Sequence, residues 1–265
     1  MQDSLAVIGF GNMGSAVIAG ATSARAIDPR RVVVIEPDAS RRAEAAALGC
    51  VTSEDLAAAR DATHVLLSVK PQMFATIAPA LGARPRRTVF ISIMAGIGSG
   101  TIRRELGDAH AVVRAMPNTP CRIGAGITAI ALGAGAAHDD AALAERLFAA
   151  VGRVVRVDER MLDAVTATSG SGPAYVFLVA EAWEDAAVAL GFERRTARDL
   201  VRHTLLGAAR MLDDGNVEAS ALREAVTSKG GTTAAALGVF QDRGLRDAFR
   251  DALAAAERRG RELGS

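Results

Sequence analysis

Short, unbroken apolar runs recur along the first half of this chain, separated by longer mixed stretches. Leu5-Ala6-Val7-Ile8 and Val32-Val33-Val34-Ile35 are continuous, without the polar–apolar alternation of a half-exposed strand. Each predicts a strand buried on both faces. His64-Val65-Leu66-Leu67-Ser68-Val69, Thr88-Val89-Phe90-Ile91-Ser92 and Ala111-Val112-Val113-Arg114 repeat the pattern, and Ile127–Leu132 and Val154–Val157 extend it. Helical patterns fall between them, over Ala39–Leu48 and Asp139–Val151, and Pro71 suits the first turn of another. Strands of this kind alternating with helices predict an α/β fold built on a mostly parallel sheet covered on both faces.

After about Asp158 the strand-like runs stop. Helices are predicted over Pro173–Leu190, Arg194–Leu212, Ala219–Val226, Thr232–Asp242 and Leu245–Leu263. The first carries Val176, Ala180, Trp183, Ala187 and Leu190 at helical spacing, and Phe177, Val179 and Ala186 widen that stripe beyond one face. Such a helix needs partners on more than one side. It is either the centre of a monomeric bundle or part of a dimer interface. The second reading is preferred, because only roughly 105 residues remain to cover it. The chain thus divides into a dinucleotide-binding domain over 1–158 and a helical dimerisation and substrate domain over 159–265.

Composition narrows the function classes. The 265 residues are half apolar, enough for a substantial core, and 31 basic against 30 acidic residues leave a net charge of +1. Neither that balance nor the 4% aromatic content suits a nucleic-acid surface. Cys50 and Cys121 lack C-x-x-C spacing and read as small core residues in a reducing compartment. The four histidines are scattered, and no metal site is expected. Without a basic-then-apolar leader or a bilayer-length apolar run, the expectation is a cytoplasmic protein with no membrane partner.

The chemistry-bearing motifs sit at strand ends and helix starts. Gly9-Phe10-Gly11-Asn12-Met13-Gly14 follows the first strand and opens a helix, which is the phosphate-binding corner of a dinucleotide fold. Gly9 permits the turn, Gly11 lets backbone approach a pyrophosphate, and Gly14 lets the helix pack on the strand. Glu36 ends the second strand, where a carboxylate accepts adenosine ribose hydroxyls and repels a 2′-phosphate. That tilts the cofactor towards NADH, while Arg41 and Arg42 can offset the repulsion and keep NADPH open. Ser68-Val69-Lys70-Pro71 and Ser92-Ile93-Met94-Ala95-Gly96 end later strands at the same edge, where ligands of open α/β sheets bind. Asn118, between Pro117 and Pro120, can hydrogen-bond in both directions. Ser169-Gly170-Ser171-Gly172-Pro173 and Ser228-Lys229-Gly230-Gly231-Thr232-Thr233 precede helices, either as simple caps or as amide cradles for a carboxylate.

In this order, with Val69-Lys70-Pro71-Gln72, Met116-Pro117-Asn118-Thr119-Pro120, Ser169 to Tyr175 and Val226 to Thr233, the motifs give a chain that resembles the pyrroline-5-carboxylate reductases over essentially its whole length. The resemblance implies a Rossmann domain followed by an all-helical dimerisation domain, with dimers assembling into larger rings. It implies reduction of 1-pyrroline-5-carboxylate to L-proline by NADH or NADPH. It also implies that Ser228, Gly230, Gly231 and Thr232 hold the substrate carboxylate, that Thr233 lies beside the imine nitrogen, and that Glu159 belongs to the substrate side. The cofactor would meet Gly9, Phe10, Gly11, Asn12, Met13, Gly14, Glu36, Ser68, Val69, Lys70, Pro71, Ala95, Gly96 and Asn118. Three positions depart from the family pattern: Lys229 stands where proline is usual, Glu36-Pro37 replaces an Asn-Arg or Asp-Arg pair, and an asparagine is missing near Ser53-Glu54-Asp55. Two other readings compete: another Rossmann dehydrogenase, acting on a small hydroxy acid, and a non-catalytic nucleotide-binding protein.

Overall fold

The computed structural model describes residues 3–215 and 217–264. It falls into two compact units, one running to Ser171 and joined by the residues from Ala255 onward, the other Gly172–Ala254.

The first unit alternates strand and helix: β1 (Leu5–Ile8), α1 (Asn12–Ser23), β2 (Val32–Ile35), α2 (Ala39–Ala47), β3 (Val51–Ser53), β4 (His64–Leu67), α3 (Phe74–Gly82), β5 (Val89–Ser92), α4 (Ser99–Leu106), β6 (Ala111–Met116), β7 (Gly126–Leu132), α5 (Ala142–Ala149), β8 (Gly152–Arg156) and α6 (Leu162–Val165). The eight strands lie in the order β3-β2-β1-β4-β5-β6-β7-β8. All neighbours are parallel except β6 and β7. The chain winds outward from β1 to β3, then returns to place β4 on the other side of β1. This reversal opens a crevice at the carboxyl ends of β1 and β4.

Alternate residues of the strands feed the two faces. Leu5 and Val7 join Val17, Ile18, Leu147 and Phe148 in one core layer. Ala6 and Ile8 join Val65, Leu67, Phe90 and Ile102 in the other. Both layers are nearly dry, which is why the strands read as unbroken apolar runs.

Two features depart from the pattern. β3 is three residues at the sheet edge with Val51 exposed, so it carries no apolar run to predict it. The helix expected over Asp139–Val151 is a 3-10 turn at His138–Ala141 followed by α5. Beyond β8, residues 159–171 stay within the sheet unit, where Glu159 bonds Ser99 and Asn118 bonds Ser169. A π turn over Thr166–Gly170 lies there, close enough to β6 that a Cβ on Gly170 would meet Met116 Cε at 2.8 Å.

The second unit comprises α7 (Gly172–Ala189), α8 (Arg194–Asp213), α9 (Ala219–Ala225), α10 (Thr232–Asp242) and the first half of α11 (Leu245–Gly264). Its buried residues are few: Glu184 and Ala187 on α7, Ala197 and Val201 on α8. Glu184 accepts from Arg202 Nε at 3.1 Å, with Arg198 Nε 3.9 Å from its other oxygen. Large apolar side chains lie open instead, Phe177 at 67% and Leu178 at 64% exposure among them. No helix among the described residues is long and apolar enough to cross a membrane, and none of their His, Cys, Asp and Glu side chains group to hold a metal ion.

Candidate active site

The crevice is shaped by what its glycines exclude. Gly9 has φ +89°, a left-handed conformation, and its N–H donates to the Ile35 carbonyl at 2.9 Å. A Cβ there would meet the Ser68 carbonyl oxygen at 2.7 Å, and one on Gly14 would meet Ser68 Oγ at 2.7 Å. These two glycines close the corner between β1, β4 and α1. Gly11 differs: a Cβ there would find only Arg41 Nη1, at 3.8 Å. Gly11 is the N-cap of α1 and no side chain caps that helix, so its first amides are left for an anion. The space over Gly11 is open, as close approach of a phosphate to the backbone requires.

A cleft of about 670 Å³ opens from this corner. Gly9, Gly11, Asn12, Met13, Glu36, Ser68, Val69 and Lys70, all expected at the cofactor, line it. The other expected residues lie elsewhere. Phe10 has its ring in the core, and Gly14 packs beneath the loop. Pro71 opens the 3-10 turn Pro71–Met73. Ala95 and Gly96 form the turn after β5, with Gly96 at φ +79°. Asn118 is a buried clamp, its Oδ1 accepting from Ile127 N–H at 3.0 Å and its Nδ2 donating to the Ser169 carbonyl at 3.2 Å. Leu56, Met73 and Ile77 add apolar walls that no motif announced, and Ile93, from the expected segment after β5, adds another. Only the sheet order brings them together.

Glu36 governs the charge at the β2 end. It is buried, and its carboxylate accepts from Phe10 N–H at 2.7 Å and Asp38 N–H at 3.1 Å. Arg41 Nη1 stands 4.0 Å from Oε2. Arg42 turns to the Glu36 and Pro37 carbonyls, both at 2.8 Å, and to Glu54 at 3.6 Å. Asp38 caps α2, and the hydroxyl of Ser40 with the amides of Arg41 and Ser40 holds its carboxyl below the ordinary range.

In the helical unit, the Gly231 N–H closes a turn onto the Ser228 carbonyl at 3.1 Å, with Gly230 at φ +71°. A Cβ on Gly231 would collide with Ser228 Oγ. α10 begins at Thr232 and no side chain caps it, leaving the amides of Thr232, Thr233 and Ala234 without intrahelical acceptors. Thr233 is half-buried, whereas Ser228, Lys229, Gly230 and Thr232 are exposed. Glu159 lies in the other unit, its carboxylate bonded to Ser99.

Known proteins match both halves. A family model described as pyrroline-5-carboxylate reductase dimerisation matches residues 159–263, and one described as NADP oxidoreductase, coenzyme F420-dependent, matches residues 4–96. A pyrroline-5-carboxylate reductase from Synechocystis is 39% identical over 266 residues, covering 100% of this chain and 99% of its own. Among solved structures, a pyrroline-5-carboxylate reductase from Coxiella burnetii superposes with a TM-score of 0.93 at 36% identity, covering 100% of both chains. A pyrroline carboxylate reductase from Plasmodium falciparum with NADP bound gives 0.85 at 26% identity, covering 100% of this chain and 99% of that one. With full-length identity at this level and the glycine corner and second glycine loop both intact, this chain belongs to the pyrroline-5-carboxylate reductase family.

Proposed function

We propose that this protein reduces 1-pyrroline-5-carboxylate to L-proline, the last step of proline synthesis, with NADH preferred over NADPH. The observation that carries this is full-length family membership together with two uncapped helix starts, one behind Gly11 for a pyrophosphate and one at Thr232 for a carboxylate.

The nicotinamide supplies the hydride, which the imine carbon receives while the ring nitrogen holds a proton. The chain's own work is placement. Gly9, Gly11 and the start of α1 hold the pyrophosphate, while Ser68, Val69 and Lys70 border the cleft beyond it. Ser228, Gly230, Gly231 and Thr232 cradle the substrate carboxylate at the start of α10. Thr233 is the catalytic residue, its hydroxyl orienting the imine nitrogen. A neutral threonine is a poor acid, so the proton arrives with the substrate or from water. The preference for NADH rests on Glu36, whose charge stands where a 2′-phosphate would lie.

The working protein is a homodimer formed by the helical region, and dimers assemble into larger rings. The functional division is a dinucleotide-binding domain over 1–158 and a dimerisation and substrate domain over 159–265, in a cytoplasmic enzyme. Steady-state assays with purified protein test the whole reading. Imine-dependent oxidation of NADH, faster than that of NADPH, is expected. Oxidation of a small hydroxy acid in place of imine reduction, or no turnover with either, would overturn it.

A further inference from the structure

The turn between β5 and α4, residues 93–98, borders the half of the crevice formed by β4 to β6. In doubly wound sheets each half of the fold takes one mononucleotide, so this half faces the nicotinamide. Ile93 lines the cleft itself. Two side chains from distant parts of the chain hold the ends of this turn. Arg114, on β6 and only 8% exposed, donates from Nη2 to the Met94 carbonyl at 3.4 Å. Glu159 accepts from Ser99 N–H at 2.7 Å and from Ser99 Oγ at 2.5 Å. The two holders also meet each other, with Arg114 Nη1 at 3.5 Å from Glu159 Oε1.

The site is built for this contact. α4 has Gly98 at its N-cap, with no side chain to serve its first amides. A carboxylate sixty residues further on takes that role, and its negative charge suits the helix start. Ser99 is fixed from behind as well, because its Oγ accepts from Ala134 N–H at 2.9 Å. Gly133 allows this approach: a Cβ there would collide with Ser99. Arg114 has long bonds, and its buried Nε has no partner among the described residues. A buried cation so thinly solvated depends on the neighbouring carboxylate.

We propose that Glu159 and Arg114 are positioning residues for hydride transfer, fixing the 93–98 turn so that the nicotinamide end of the cleft keeps one backbone conformation. Glu159 is therefore not a substrate ligand: both its oxygens are committed to Ser99, with Arg114 beside them. This inference rests on the imine-reductase reading above.

The test compares Glu159→Ala, Glu159→Gln and Ser99→Ala in the full-length enzyme. Glu159→Ala is expected to slow single-turnover hydride transfer by about ten- to a hundredfold, as misplacement by about 1 Å does. The deuterium isotope effect on kcat should rise, while imine KM and NADH affinity stay unchanged. Glu159→Gln keeps an acceptor for the Ser99 amide and should lose less. If Glu159→Ala does not fold, Ser99→Ala carries the same signature in weaker form. A raised imine KM with intact hydride transfer would make Glu159 a substrate ligand and overturn the proposal. A lower melting temperature with unchanged kinetics would also overturn it. Amide hydrogen exchange over residues 94–99 in the NADH complex reads the turn independently of substrate. Faster exchange in Glu159→Ala supports the inference and unchanged exchange refutes it. A wild-type protein inert towards the imine would instead count against the reductase reading.

Discussion

The Phe10 amide donates to Glu36 Oε2 at 2.7 Å, tying the glycine loop directly to the end of β2. The carboxylate proposed to face an adenosine ribose thus also holds the glycine loop. Removing the side chain would leave two amides, those of Phe10 and Asp38, without their acceptor. Glu36→Gln is therefore the informative change, because it removes the charge and keeps one acceptor oxygen. We expect the NADH preference in kcat/KM to narrow by about 1 kcal/mol, roughly fivefold, consistent with one screened charge contact. A wild-type enzyme favouring NADPH would instead assign the choice to Arg41, 4.0 Å from Glu36.

Gly11→Val is expected to fold normally, because its φ of −71° suits any residue and nothing but Arg41 Nη1 lies within 4 Å of a Cβ. The added side chain would occupy the path of the pyrophosphate. NADH affinity should fall by about tenfold or more, at least ~1.4 kcal/mol. Fluorescence titration of NADH measures this, and unchanged affinity would remove the loop from the cofactor site.

Thr233→Ala separates chemistry from capping. If its hydroxyl orients the imine nitrogen, kcat/KM should fall by about 1–3 kcal/mol, roughly 5- to 150-fold, with NADH affinity intact. The absence of any side-chain cap on α10 predicts little change in melting temperature. Normal kinetics with reduced stability would take Thr233 off the catalytic list.

The exposed face of α7 gives an assembly test. Phe177→Glu places a charge on a helix whose Phe177, Leu178 and Val176 are each more than half exposed in the single chain. The variant is expected to run as a monomer in light scattering and to lose activity. Trp183, the only tryptophan, is 44% exposed in the single chain and reports the same event by a red-shifted emission. A dimeric Phe177→Glu with unshifted fluorescence would exclude α7 from the interface.

Arg87 grips Asp140 with two hydrogen bonds of 2.8 and 2.6 Å and holds its carboxyl below the ordinary range. A depressed carboxyl pKa stabilises the fold above the unfolded value, and the contribution is lost as pH falls through the folded one. Arg87 is half exposed, so screening limits the pair to about 0.5–1 kcal/mol. Asp140→Asn should lower the melting temperature at about pH 7, and by less in strong acid, once the folded carboxyl is protonated. Equal losses at both would assign the effect to packing.

The sequence made the sheet largely legible because most of its strands are buried on both faces; β8, largely exposed, was still marked by Val154 and Val155, and only β3, at the edge with Val51 exposed, escaped. The glycine corner was equally readable, since Gly9 and Gly14 each answer a separate steric demand at fixed spacing, while Gly11 leaves the approach to the loop open. Contacts between distant segments were not. Nothing in the local pattern around Glu159 announces Ser99, and nothing around Asn118 announces the Ile127 amide. The apolar walls from Leu56 and Ile77 look like ordinary core residues until the strand order is known.

The scarcity of buried side chains in the helical unit has a consequence for synthesis. On the ribosome, the strands that bury one another emerge first and can begin to fold alone. The helices with their open apolar faces emerge last. Most of the sheet unit is therefore made before the chain displays the surfaces that need a second copy, and only the residues from Ala255 onward join it afterwards. The interval in which those surfaces stand uncovered is set by how many other copies are nearby, so yield of the native protein should depend on expression level in both directions: too few chains leave α7 searching, and too many crowd unpaired helices into aggregates.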